Sequence, residues 1–258
     1  MNRINKLFSE KQSRILNVYC TAGYPSINSL SEILIALQTS GADIVEVGMP
    51  YSDPIADGPV IQSSNMTALQ NGMTIQTMFD QIQDCRNYFQ LPMILMGYLN
   101  PVMQFGVGKF CLQAKNAGVD GIILPDLPLR EFQTYFSKHL EDAGLQFIFL
   151  ITPETSDERI KEIDRLSNGF IYAVSSSSTT GGTTDPQKQE EYLLRIKNMN
   201  LNNPVLAGFG IRDKETFDNA CQYTNGAIIG SAYINALESS SNIIKTTEDF
   251  IDGVLGKA

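Results

Sequence analysis

Eight short runs of apolar, β-favouring residues recur along the chain, each followed by a stretch with helical spacing. This alternation restricts the fold more than any other feature. The runs are Asn17-Val18-Tyr19-Cys20-Thr21 and residues 43–48, 92–97, 121–125, 146–151, 169–174, 204–208 and 226–230. Between them, apolar residues fall three and four apart, as Leu30, Ile33, Leu34 and Leu37 do between a cap at Asn28 or Ser29 and a stop at Gly41. The same spacing predicts helices near 60–71, 74–89, 107–117, 129–142, 156–167, 187–199 and 213–221, and a last one over 241–255. A short amphipathic helix over 3–13, with Ile4, Leu7 and Phe8 on one side, precedes the first run. Near-continuous apolar strands mark a parallel sheet covered on both faces. Eight such units in 258 residues fit a single (β/α)8 TIM barrel over 1–258, with an extra N-terminal helix and extra short helices in the loops. An open doubly wound sheet is the alternative, although the first strand lacks the GxGxxG turn.

Charge narrows the function. With 19 basic against 28 acidic residues the net charge is −9, and no basic patch suited to nucleic acid stands out. Cys20, Cys85, Cys111 and Cys221 are scattered without a CxxC pair, which suits reduced thiols in a cytosolic protein. The opening residues have no apolar signal core, and no run is long enough to span a membrane. The expectation is a cytoplasmic protein that binds neither membrane nor nucleic acid.

The second run breaks a local rule. Strand side chains alternate, so Val45 and Val47 point one way while Ile44, Glu46 and Gly48 point the other. A buried strand normally carries no carboxylate, because an unpaired buried charge is costly. The bland account is a buried Arg or Lys partner for Glu46. The functional one is a catalytic carboxyl, since the strand ends of such a barrel are where its chemistry sits. Directly after it comes Met49-Pro50-Tyr51-Ser52-Asp53-Pro54-Ile55-Ala56-Asp57-Gly58-Pro59, which proline excludes from helix and ladder. Asp57 reads as chemistry. Asp53 suits a cap and a catalyst equally.

Three glycine turns end consecutive strands: Thr180-Gly181-Gly182, Gly208-Phe209-Gly210-Ile211-Arg212 and Gly230-Ser231-Ala232. In this barrel the last two loops, with a short helix N-terminus, commonly hold a phosphate through backbone N–H groups. The polar run 175–184 between strand six and the next helix suits a lid as well as a slack surface loop. No strand holds a Lys for a Schiff base, and the only His, His139, falls in a helical stretch. No cluster has metal-ligand spacing, so no metal is expected. Carboxylate acid–base chemistry on a phosphorylated small molecule remains. Tyr19, Leu95, Ile122, Phe149, Tyr172 and Ile228 are candidates for an apolar pocket, at least half of them plain core.

The stretch Glu46–Pro59 resembles the signature of the tryptophan synthase α chain. Met96-Gly97-Tyr98-Leu99-Asn100-Pro101, Pro125-Asp126-Leu127-Pro128, Gly208-Phe209-Gly210-Ile211 and Gly230-Ser231-Ala232 follow in family order across nearly the whole chain. The resemblance implies a carbon–carbon lyase that cleaves indole-3-glycerol phosphate to indole and D-glyceraldehyde 3-phosphate. It implies an α2β2 assembly in which indole passes to a pyridoxal-phosphate-dependent β chain for tryptophan synthesis, with no cofactor in this chain. It also implies roles: Glu46 as the acid–base group and Asp57 beside the indole nitrogen, both catalytic. Tyr19, Ile61, Tyr172, Thr180, Gly181, Phe209, Gly210, Gly230 and Ser231 bind substrate, and Asp53, Asn100 and Pro128 face the β chain. A sugar-phosphate isomerase, or a barrel that only binds its ligand to regulate a partner, is the alternative the residues alone leave open.

Overall fold

The computed structural model describes residues 2–175 and 186–257. Its strands are β1 (Ile15–Thr21), β2 (Ile44–Gly48), β3 (Met93–Met96), β4 (Gly121–Ile123), β5 (Gln146–Phe147), β6 (Phe149–Ile151), β7 (Ile171–Ala173), β8 (Val205–Ala207) and β9 (Gly226–Ile229). They form one parallel sheet in the order β5-β4-β3-β2-β1-β9-β8-β7-β6. The two ends of that order are consecutive in the chain. β5 pairs with β4 and β6 with β7, and only Ile148 separates them. Its N–H still reaches Ile122 O at 3.0 Å, while Ile151 O already accepts from Val174 N at 2.9 Å. The expected fifth strand therefore changes partner halfway along, and this closes the ring into a (β/α)8 barrel. The doubly wound alternative falls with it.

Alternation sorts the side chains into two cores. Ile15, Ile44, Ile94, Ile123, Ile148, Leu206 and Ile228 fill the barrel interior. Val45, Val47, Leu95, Ile122 and Phe149 point outward into the layer under the helices. Leu95, Ile122 and Phe149 thus face away from the barrel interior, because each is one position out of phase with an inward neighbour. Burying each large aliphatic side chain contributes about 1.5–3 kcal/mol, so both layers are strongly specified. The N-terminal helix, Arg3–Glu10, plugs the lower end of the barrel with Ile4, backed by Leu7 and Phe8.

Two helices were not anticipated. Leu99–Phe105 contains Pro101 in its first turn, where a missing N–H costs nothing. Its first N–H is received by Asp126, with Leu99 N at 2.9 and 3.1 Å from the two carboxylate oxygens. That cap comes from the following strand's loop, beyond the reach of local pattern. Ser231–Glu238, entered through Gly230, is the second. The predicted helix 129–142 is present, but a π turn interrupts it at Phe132–Phe136. Among the described residues no helix is long and apolar enough to cross a membrane.

Candidate active site

Glu46 lies inside the barrel wall on β2 and is 0 % exposed. Among the described residues no Arg or Lys pairs with it, so the ion-pair account of this residue fails. Asn17 Nδ2, from the neighbouring β1, donates to its Oε2 at 3.1 Å, and among the described residues its Oε1 has no partner. Burial pushes the Glu46 carboxyl up to about 8. The Asn17 hydrogen bond opposes the rise and the nearby Asp57 charge adds to it. The side chain is therefore largely protonated at neutral pH and only weakly held, a state suited to giving up a proton.

Asp57 hangs over the same opening from the loop after β2. The helix Pro59–Gln70 fixes it: Gln62 Nε2 donates to Asp57 O at 2.8 Å, and Asn65 Nδ2 to Asp57 Oδ2 at 3.3 Å. The loop is tied at Ala56, whose N–H donates to Tyr98 Oη at 3.0 Å. Burial raises the Asp57 carboxyl, with hydrogen bonds from Tyr98 and Asn65 opposing. Asp53 is exposed, accepts from Ser52 Oγ and caps no helix. It is not among the residues that line the cavity with Glu46 and Asp57.

A cavity of about 570 Å3 opens at the C-terminal ends of the strands. Glu46, Asp57, Tyr19, Ile61, Tyr172, Phe209, Gly210, Gly230 and Ser231 all line it. Thr180 and Gly181, with most of the sixth-strand loop, lie outside the described residues. Tyr19 and Tyr172 line the cavity beside the carboxyls. Both phenols are held well above their ordinary value, chiefly by burial, and so stay neutral. The helix Ser231–Glu238 also opens on it, and its N-cap Gly230 makes no side-chain cap, so among the described residues its first N–H groups are left for an anion. Gly210 has φ +69°, a left-handed backbone that favours glycine. Gly230 is less restricted, since an added Cβ would meet Tyr19 only at 3.6 Å.

Several contributors escape a reading of motifs. A Cβ on Gly48 would stand 2.0 Å from Tyr19 Oη, and one on Gly208 would stand 1.9 Å from the Tyr172 ring. These two glycines make the space that both tyrosines occupy. Asn65 and Tyr98 brace Asp57, and Asn17 braces Glu46. Only Asn17 had a local signal, as a polar residue with inward parity in an apolar strand. His139 is half-buried against Tyr135, at 5.2 Å between ring centroids, and does not line the cavity. Among the described residues no group of three His, Cys, Asp or Glu side chains could hold a metal ion.

A parallel barrel with two under-bonded carboxyls and an uncapped helix N-terminus around one C-terminal cavity defines a barrel enzyme equipped for acid–base chemistry on an anionic substrate. The family model described as tryptophan synthase alpha chain matches residues 6–252. A tryptophan synthase alpha chain from Flavobacterium psychrophilum is 47% identical over 255 residues, covering 98% of this chain and 100% of that one. One from Parabacteroides distasonis is 48% identical over 255 residues, covering 98% and 99%. The solved tryptophan synthase subunit alpha of Legionella pneumophila superposes with a TM-score of 0.89 at 33% identity, covering 98% of this chain and 97% of that one. A chain of the Pyrococcus furiosus tryptophan synthase complex gives 0.85 at 34% identity, covering 95% and 99%. The chain belongs to the tryptophan synthase alpha chain family. Its activity is the family's, the lyase cleavage of indole-3-glycerol phosphate in tryptophan biosynthesis.

Proposed function

We infer that Glu46 and Asp57 carry this cleavage. The observation that carries the reading is the state of Glu46: wholly buried, pushed up to about 8, and with one oxygen unpartnered beside the cavity. Indole is a poor carbon leaving group until its ring carbon three is protonated. Glu46 gives that carbon a proton, which leaves positive charge on the ring nitrogen. Asp57 stabilises that charge as it develops. Glu46, now a carboxylate, takes the proton of the glycerol hydroxyl next to the breaking bond. The carbon–carbon bond then cleaves, its electron pair returns to the ring, and the hydroxyl carbon becomes the aldehyde of glyceraldehyde 3-phosphate. Glu46 ends the cycle protonated. Tyr19, Ile61, Tyr172 and Phe209 enclose the indole. Gly210, Gly230 and Ser231, with Thr180 and Gly181 from the sixth loop, hold the phosphate.

The test is to incubate the isolated chain with indole-3-glycerol phosphate and follow free indole, beside Glu46→Gln. The amide keeps the shape and loses the proton, so the variant should lose about 10²–10⁴ in rate while still binding the substrate. A variant that kept more than about a tenth of the rate would sink the assignment.

The whole chain, 1–258, acts as one barrel domain in this reading. Its partner is a pyridoxal-phosphate-dependent β chain in an α2β2 assembly, the cofactor belonging to that partner and the complex working in the cytoplasm. Asp53 and Pro128 are exposed on the loops after β2 and β4, and Asn100 in the helix Leu99–Phe105 after β3; Ile55 on the first of these loops is 71% exposed and Met103 on that helix 49%. Apolar side chains so exposed suit a covering protein. Linkage requires that substrate bound here tighten the β chain's grip by the factor with which the β chain tightens substrate. A β-chain affinity indifferent to substrate would rule this coupling out.

A further inference from the structure

Asn17 lies on β1 with the same inward parity as Ile15 and Tyr19, and it is 0 % exposed. Its neighbours in the ladder are Ile44 on one side and Ile228 on the other. An amide among isoleucines costs free energy that an apolar side chain would not, so its presence needs a reason. The only hydrogen bond it makes among the described residues runs from Nδ2 to Glu46 Oε2, at 3.1 Å. Among the described residues its Oδ1 has no partner, and neither has Glu46 Oε1. The barrel gains little packing or bonding from this residue that leucine would not supply. What leucine cannot supply is the contact with Glu46.

We propose that Asn17 is a positioning residue for Glu46: its amide grips Oε2, so that the transferable proton is carried on Oε1, the oxygen left without a partner. This rests on the reading of Glu46 as the acid–base group. An amide suits the task better than the alternatives. A lysine here would hold Glu46 ionised, and the acid would be lost. An apolar residue would leave the carboxylate formed after proton transfer with no donor at all. The amide N–H stabilises that carboxylate and has no proton of its own to exchange.

The surroundings keep Glu46 the group that titrates. Facing it are Tyr19 from β1, Tyr172 from β7 and Asp57 from the loop after β2, while Cys20, on the opposite face of β1, still feels its charge. Burial holds both tyrosines well above their ordinary value and pushes Cys20 up to about 12. Among the described groups, Asp57 is therefore the one charged neighbour where Glu46 changes state. The Asn17 bond opposes the upward push of burial and of that charge.

The experiment measures kcat and kcat/KM against pH for wild type, Asn17→Leu, Asn17→Asp and Glu46→Gln, with a carbon-13 NMR titration of the Glu46 carboxyl in the resting protein. A hydrogen bond to a charged group is worth about ten- to a hundredfold in an equilibrium, so Asn17→Leu should lower kcat at neutral pH by about that factor. KM should change by less than about threefold, because the contact is to the acid and not to substrate. The alkaline limb and the NMR titration should both move to higher pH, as the ionised form has lost its donor. Asn17→Asp keeps the shape but sets two carboxyls side by side, and should move both in the same direction. If Asn17→Leu does not fold, Asn17→Asp and the titration decide alone. Should Glu46→Gln keep its turnover, the acid–base reading fails and takes this one with it. Should Glu46→Gln be inactive while the Asn17 variants keep the wild-type limb, titration and kcat, this proposal alone is overturned.

Discussion

The carboxylates at the two ends of the barrel are the same chemical groups in opposite circumstances. At the lower end Asp120, immediately before β4, accepts from Arg3 Nη1 at 3.0 Å, Arg86 Nη2 at 3.1 Å and Met93 N at 3.0 Å. Asp43, immediately before β2, accepts from Lys11 Nζ at 2.8 and 2.6 Å and from Leu16 N at 2.8 Å. Asp164 receives the backbone N–H groups of Asn202 and Asn203, each at 2.9 Å. Three residues on from Asp43, Glu46 has among the described residues one amide donor and a bare oxygen. Among the same residues Asp57 has only neutral donors, a long bond from Asn65 and one from the Tyr98 hydroxyl, and no cation. A paired carboxylate is spent on holding elements together. An unpaired one keeps its proton chemistry available and weakens the fold that holds it. The lower end thus serves the architecture and the upper end the reaction, as the barrel's division of labour requires.

That contrast can be broken from either side. The largest expected effect is at the lower end. Asp120→Ala leaves Arg86 without its carboxylate in a half-buried site and should destabilise the fold by about 3–5 kcal/mol in urea melts. The fraction that remains folded should cleave substrate at the wild-type rate. A rate loss in the folded fraction would show that the lower end is not separate from the chemistry. Next is Asp57→Asn, which should lower kcat about a hundredfold with a smaller change in KM, because it acts on charge that develops only in the transition state. Its stability should stay near wild type. A variant that merely raised KM would reassign Asp57 to substrate binding.

The smallest effect is also the one with an unusual sign. Glu46→Leu should be inactive yet more stable by about 1–2 kcal/mol, since it removes a desolvated carboxyl from the barrel. The gain should grow with pH. The folded carboxyl is raised to about 8 from an ordinary 4.5, so from about 4.5 upward the unfolded chain ionises first and wild type loses stability until the folded group ionises too. Leucine removes that loss, while the orphaned Asn17 amide trims the gain at every pH. Asp164 runs the other way. Burial pushes it up, but the bonds from Asn202 and Asn203 together outweigh burial and leave it below its ordinary value. Its contribution is present above the unfolded value and fades as pH falls. Urea melts across pH on both Glu46→Leu and Asp164→Asn measure the two signs. A Glu46→Leu protein less stable than wild type at every pH would mean that Glu46 is a satisfied member of a polar network.

The sequence by itself determined the class of fold and the side each strand residue faces. Eight apolar runs at barrel spacing leave few architectures, and a period of two dictates that Ile44 and Glu46 share a face whatever lies across from them. It also determined which loops matter, because proline and glycine restrict the backbone locally. Tertiary structure alone decided the partners. That strand five changes neighbour at Ile148, that Asp126 caps a helix beginning at Leu99, and that Gly48 and Gly208 clear room for Tyr19 and Tyr172 depend on residues far apart in the chain. The state of Glu46 belongs to the same group. A carboxyl's proton affinity is set by what surrounds it, and an isolated sequence does not say whether the side chain that reaches it from the adjacent strand is an arginine or the amide of Asn17.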